Sequence, residues 1–298
     1  MPQPAAAAGR GRPPFRLSCT SFSFPLLRLP KVARLLELLE FRHIDLCIAE
    51  GDRDVKAQAV EADSEAVARA DREACRAANL SVVDIFCHLG RGAFDHPLNT
   101  PDAAQRELNR GRFRAYVRYA AGVRAEGLTI SPGKRWDGIA DGGFDLACRE
   151  LVLYAGWAGE RGLRLSVEPH LDSIVADPGL AASLAAAVRG LTLTLDYSHF
   201  VARGIEQAAV HPLLPLAGHL HVRQAAPGRL QAAGDEGIID FDAIVDRLAG
   251  LGYRGALTLE YLWSPWQDMN RVDVLTETLV LRRRLEARIA TLAAGSGY

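Results

Sequence analysis

The sequence predicts an α/β chain folded as one (β/α)8 TIM barrel, and three observations predict it. Short β-branched or aliphatic runs alternate with longer segments of helical period through to the carboxyl end. The strand-like runs number eight. In the last four of them an ionisable residue falls at the carboxyl-terminal end, the rim at which barrels of this class carry their sites.

Taken in order, residues 1–14 are rich in Ala, Pro, Gly and Arg without an apolar stretch, and read as a disordered tail ahead of a barrel spanning 15–298. Strands are expected at Leu17–Ser21, His43–Ile48, Leu80–Cys87, Gly127–Ser131, Leu163–Glu168, Leu191–Asp196, His219–Val222 and Ala256–Glu260. Several helices carry their own boundary signals. Asp177-Pro178 sets a capping side chain before a proline at the first helical position. Asp240 precedes a helix with Ile244, Leu248 and Leu251 on one face, which Gly252 ends. In the last helix Leu281, Leu285, Ile289 and Leu292 form a stripe suited to an outer barrel wall. The segments Gly51–Asp63 and Leu89–Pro101 gather Gly, Asp, Pro and Asn without periodicity, so long loops are expected there, over the same rim.

A chain of 298 residues with 49% apolar and 24% charged residues and a net charge of -1 can build one large core. It lacks the basic balance of a nucleic-acid binder. No run approaches the roughly 18 apolar residues of a membrane span. The five cysteines are scattered and never form Cys-x-x-Cys, which points to a reducing cytoplasm and away from a zinc knuckle.

The chemistry-bearing residues close the last four strands. LRLSVEPH delivers Glu168, LTLTLDYSHF delivers Asp196, GHLHV delivers His221 and GALTLEY delivers Glu260. Any one alone reads as readily as a solvated strand-end residue. Four on adjacent strands would converge, and burying them requires pairing, hydrogen bonding or a metal. Three carboxylates and an imidazole suit one divalent ion, Mn2+ before Mg2+, Co2+ or Zn2+. His219 and His221 share a strand face, so one is expected to ligate and the other to support it.

On these residues, EPH, LDYSHF, GHLHV and the run GDEGIIDFDAIVDRLAGLGYRGALTLEY, the chain resembles the xylose isomerase-like barrel superfamily of sugar isomerases, epimerases and lyases. The likeness covers Leu163–Trp263; the amino-terminal half shares only its strand and helix rhythm. It implies that Glu168, Asp196, His221 and Glu260 are metal ligands and that His199, three residues after the aspartate, approaches substrate. It also shows departures. Where ketose 3-epimerases resemble one another in a further glutamate and an arginine, this chain has Ile174 and Pro227. In their place stand His170, two residues past Glu168, and Arg223, Arg229 and Gln231 in HVRQAAPGRLQ. His170 is similar to the Glu-x-His of C-glycoside deglycosidase subunits; it reads equally as a loop cap through Asp172 or Ser173. His88 and Trp263 complete the expected substrate-binding group, with Tyr261 and Trp266 as further apolar wall.

The expected reaction is metal-dependent isomerisation or epimerisation of a keto-sugar or related polyol through a metal-stabilised enediolate, with Glu168, Glu260, His199 and His170 moving the proton. Dehydration or elimination by a lyase of the same superfamily is the alternative. An endonuclease IV-like phosphodiesterase lacks the histidine-rich cluster and basic face it needs, and a non-catalytic binding subunit fits poorly with intact ligand positions. Arg223 and Arg229 leave phosphate open, either being as readily a partner for Asp235 or Glu236. Leu26–Pro30 and Trp263–Trp266 are candidate surfaces for a homo-oligomer.

Overall fold

The computed structural model describes residues 15–51, 55–139 and 141–295; the expected tail at 1–14 lies outside them. Nine strands run among the described residues: β1 Arg16–Thr20, β2 His43–Ala49, β3 Val55–Lys56, β4 Ser81–Cys87, β5 Gly127–Ile130, β6 Arg164–Val167, β7 Leu191–Asp196, β8 Ala217–Val222 and β9 Ala256–Leu259. All pair in parallel, and β1 pairs with both β9 and β2, so eight of them close into a barrel with the short β3 appended to β2. All eight expected strands are present, with no end shifted by more than two residues and Leu191–Asp196 as expected. Glu168 and Glu260 stand one residue beyond β6 and β9.

The helices are α1 Leu29–Leu38, α2 Ala57–Ala77, α3 Ala103–Val123, α4 Phe144–Gly159, α5 Pro178–Ala187, α6 Tyr197–Ala202, α7 Gln207–Val210, α8 Phe241–Gly250 and α9 Val274–Gly295. Asp177 caps α5 by accepting from the Gly179 and Leu180 amides, and Asp240 caps α8 through the Asp242 and Ala243 amides. Gly252, just beyond α8, takes φ +70, a conformation that glycine adopts without strain.

One expected loop is a helix. Within Gly51–Asp63, Val55–Lys56 is a strand and α2 begins at Ala57. Its buried face, Ala57, Val60, Ser64 and Ala68, offers small or single apolar residues per turn, too thin a stripe to read without the barrel wall behind it. Asp63 marks a kink at φ -153, ψ 83 and its Oδ1 accepts from the Ala66 amide (2.9 Å), so the turn-like composition there has a local cause. Leu89–Pro101 is the long connection expected between β4 and α3.

Strand alternation divides the barrel into two layers. In LTLTLD, Leu191, Leu193 and Leu195 join the large apolar core between strands and helices, with Leu165, Val167, Leu220, Val222, Leu257 and Leu259. The alternate residues face the barrel axis and are mostly polar, with Cys47, Ala49 and Phe86 forming a small apolar group among them. Ser18 Oγ donates to Asp45 Oδ1 (3.0 Å), Thr129 Oγ1 to Asp84 Oδ1 (2.7 Å), and Arg164 Nη2 to Asp84 Oδ2 (2.6 Å). This polar interior delivers ionisable groups to the carboxyl-terminal rim.

Candidate active site and metal centre

At that rim, strand parity brings Glu168, His221 and Glu260 together, each at most 2% exposed. His221 Nδ1 lies 2.7 Å from Glu168 Oε1 and 3.3 Å from Glu260 Oε2. One donor atom from each of the three falls within 4.8 Å of the others. Glu168 Oε2 and Glu260 Oε2 are buried and accept no hydrogen bond, although His170 Nε2 and Arg223 Nη2 stand 3.1 Å and 3.4 Å away. Two carboxylates and an imidazole with unsatisfied inward oxygens form a donor set that fits a hard or borderline divalent cation. Asp196, the remaining expected ligand, ends β7 beside them. Its Oδ1 accepts from the Ser198 amide and its Oδ2 from Arg223 Nη2, both at 2.8 Å.

Glu168 also faces a second imidazole pair. His170 Nε2 lies 3.1 Å and His199 Nε2 3.9 Å from its Oε2, and the two rings stand 4.0 Å apart. His170 stacks on Trp266 with ring centres 5.6 Å apart and meets the edge of Phe94.

Above these groups opens a cavity of about 300 Å³, lined among others by Phe22, Phe86, His88, Phe94, His170, Arg223, Glu260, Trp263 and Trp266. The aromatic walls, the buried Glu260 carboxylate among its lining and its volume are those of a small-ligand site. A larger hollow of about 580 Å³ at the amino-terminal end is lined by Arg69, Arg72, Arg76 and Arg124 with the single carboxylate Glu73 and no imidazole.

Several expected site residues have other employment. Arg223, expected to meet substrate, is 2% exposed; it touches the cavity but is held by Asp196, Ser198 and the Glu260 carbonyl. Arg229 does not reach the cavity. It is half-exposed and donates to Glu236 at 2.6 Å, the pairing weighed from sequence. Gln231 is buried as a brace: its Nε2 donates to the Leu262 and Met269 carbonyls and its Oε1 accepts from the Leu262 amide, which ties down the segment after β9. His88 and Trp263 do line the cavity, Trp263 half-exposed at its rim.

The residue that sequence reasoning missed is Asp45. Fully buried on β2, it accepts from His219 Nε2 at 2.6 Å and lies 3.6 Å from His221 Nε2, so it orients the ring whose other nitrogen faces Glu168. The available signal was its position in HIDLCIA: an acid at inward parity inside an apolar strand. His219 is accordingly the supporting member of the histidine pair.

Electrostatics follow from this packing. Burial pushes the Glu260 carboxyl up to about 7, with Arg223 and His221 opposing and Glu168 and Asp196 adding to the rise. Burial works in the same direction on Glu168, but His221 and His170 overcome it and hold that carboxyl well below its usual range. Burial would depress His221, yet Glu260 and Glu168 carry it well above an ordinary imidazole. His199 is held well below, first by burial and then by His170, and is neutral near pH 7. A cation entering between Glu260 and His221 must displace protons from both. Were a divalent ion such as Mn2+ bound there, its affinity should rise with pH up to the Glu260 value of about 7, by roughly tenfold per pH unit for each proton released. Calorimetry in buffers of different ionisation enthalpy would read that release, and a pH-independent affinity would contradict it.

Similarity to known proteins agrees with this architecture. The chain matches the xylose isomerase-like TIM barrel family over residues 33–284 and belongs to it. No curated protein sequence matches it. Among solved structures it resembles D-psicose 3-epimerase with D-tagatose from Clostridium cellulolyticum H10 (TM-score 0.73, 13% identity, 92% of this chain and 99% of that one). It also resembles 3-keto-D-glucoside 4-epimerase from E. coli in its apo form (0.66, 16%, 91% and 99%). A third is a xylose isomerase-like TIM barrel protein from Mycobacterium smegmatis in complex with magnesium (0.68, 16%, 96% and 99%). At such identities the likeness is one of fold.

Proposed function

We propose that the protein is a divalent-metal-dependent isomerase or epimerase of a keto-sugar or related polyol. The observation that carries this reading is the buried Glu168–His221–Glu260 group, whose Glu260 lines an aromatic-walled cavity together with His170 and Arg223. Bound there, preferably as Mn2+, the ion would act as a Lewis acid that polarises the carbonyl and acidifies the neighbouring C–H. Glu168, ionised through its imidazole neighbours, is suited to take that proton as general base. Glu260, the second acid of the group, is placed to return one to the enediolate of the substrate. His199, neutral and buried, orients a hydroxyl, and Trp263 and Trp266 cover an apolar sugar face while excluding water. The sugar-bound D-psicose 3-epimerase of the same fold supports a sugar substrate, and five free cysteines fit a reducing, cytoplasmic setting.

One observation favours elimination as a second reading. His170 stands at the cavity wall 3.1 Å from Glu168 and stacked on Trp266, placed to protonate a departing oxygen. The distinguishing experiment is NMR of ketopentoses and ketohexoses incubated in deuterated water with the Mn2+-loaded protein. Metal-dependent deuterium at the carbon beside the carbonyl, with the carbon skeleton and oxygens retained, is the expected result. Loss of water with formation of a deoxy-dicarbonyl would select elimination. If no ketose exchanges a C–H proton, the enolising reading fails.

A further inference from the structure

The four expected ligands do not stand in equivalent surroundings, because a cation of the chain itself sits among them. Arg223 follows His221 by two residues on the same strand parity and is 2% exposed. Its Nε donates to Ser198 Oγ (2.9 Å), and its Nη1 to the Glu260 carbonyl (3.3 Å) with Met269 Sδ at 3.8 Å. Its Nη2 donates to Asp196 Oδ2 (2.8 Å), with His199 Nε2 at 3.3 Å and Glu260 Oε2 at 3.4 Å. All three nitrogens are thus engaged, on partners drawn from β7, α6 and the segment after β9. A guanidinium fixed at this many points is not an idle surface arginine that swings aside at little cost.

From this geometry we infer that Arg223 withholds Asp196 from the metal, so that the ion is held by three protein ligands, Glu168, His221 and Glu260. Asp196 uses Oδ1 to cap α6 and Oδ2 to anchor the guanidinium, which leaves its charge neutralised where a ligand's charge would be needed. Glu168 and Glu260 each keep an inward oxygen without a hydrogen bond, and Asp196 keeps none. Those three residues also offer donor atoms within 4.8 Å of one another, a group that does not include Asp196. The chemical consequence would be an open ion: three protein ligands would leave half of a six-coordinate shell for substrate. Two neighbouring oxygens of a polyol could then be held together while Arg223, at the cavity wall, adds a fixed positive charge beside them.

The inference rests on the metal reading above, and a titration of Mn2+ by calorimetry and electron paramagnetic resonance at one fixed pH separates the two. Wild type, Glu168→Gln, Glu260→Gln, Asp196→Asn, Arg223→Met and the Asp196→Asn/Arg223→Met pair would be compared. Glu168→Gln and Glu260→Gln should weaken binding at least 100-fold, whereas Asp196→Asn should change it less than threefold. Arg223→Met frees Asp196 as a fourth ligand and should tighten binding at least tenfold, a gain that the double variant loses. Should Arg223→Met fail to fold, the contrast between Asp196→Asn and Glu260→Gln still decides the matter. An Asp196→Asn loss as large as that of Glu260→Gln overturns the inference and leaves the metal reading standing. Absence of Mn2+ binding in wild type and every variant overturns both.

Discussion

Replacing Glu168 with Gln is expected to lower C–H exchange of the active ketose by about 10³-fold or more, the upper range for loss of a general base that also positions its partners. Its carboxylate faces both halves of the site. Oε1 meets His221 at 2.7 Å, and Oε2 meets His170 at 3.1 Å and His199 at 3.9 Å. Glutamine keeps the shape but presents an amide nitrogen to one of these imidazole groups, and it removes the negative charge that helps to hold His221 well above its ordinary range. The folded state should survive, because Asp45 and Glu260 still flank His221. Deuterium incorporation measured beside a circular-dichroism melt checks both statements. Activity within tenfold of wild type would remove Glu168 from the catalytic role and move the base to Glu260.

The largest stability effect is expected far from the rim. Phe113 on α3 is fully buried and stacks on Tyr154 of α4, with ring centres 4.2 Å apart and planes within 9°. Arg110 and Glu150 join the same two helices, with Arg110 Nη2 donating to Glu150 Oε1 at 2.7 Å. Phe113→Ala deletes the ring and leaves a cavity between helices that cannot close without losing those contacts. A loss of about 3–5 kcal/mol is expected, which for a chain of this size lowers Tm by roughly 10 °C. Urea denaturation measures the first quantity and calorimetry the second. Mn2+ affinity should be unchanged, since the pair lies on the helical layer and the site on the inner layer. A loss below about 1 kcal/mol would show that this helix pair is not packed as described.

These two residues mark what could be read without a fold. Glu168 was legible because it closes the largely apolar strand LRLSV, where an acid is costly to bury without a partner or a metal. The same reasoning singled out Asp196, His221 and Glu260 at the ends of their strands, whereas strand parity, applied only to His219 and His221, would have found Asp45 in HIDLCIA. Phe113 carried no comparable signal. The run of α3 around it, RELNRGRFRAYVRYAAGV, mixes arginines with aromatics at every turn, and only the neighbouring helices decide which face is buried.

The sequence by itself determined the eight-stranded parallel barrel, the capped helices at Asp177 and Asp240, and the rim at which acids and imidazoles gather, because these depend on periodicities of two and 3.6 residues and on local capping. Tertiary structure alone decided what each long polar side chain does there. Arg223 turned to Asp196, Arg229 to Glu236 and Gln231 to the backbone of Leu262 and Met269, while Asp45 found His219 from 174 residues away. Flexible donors choose partners by distance and desolvation, and both are set by strands that meet only when the barrel closes.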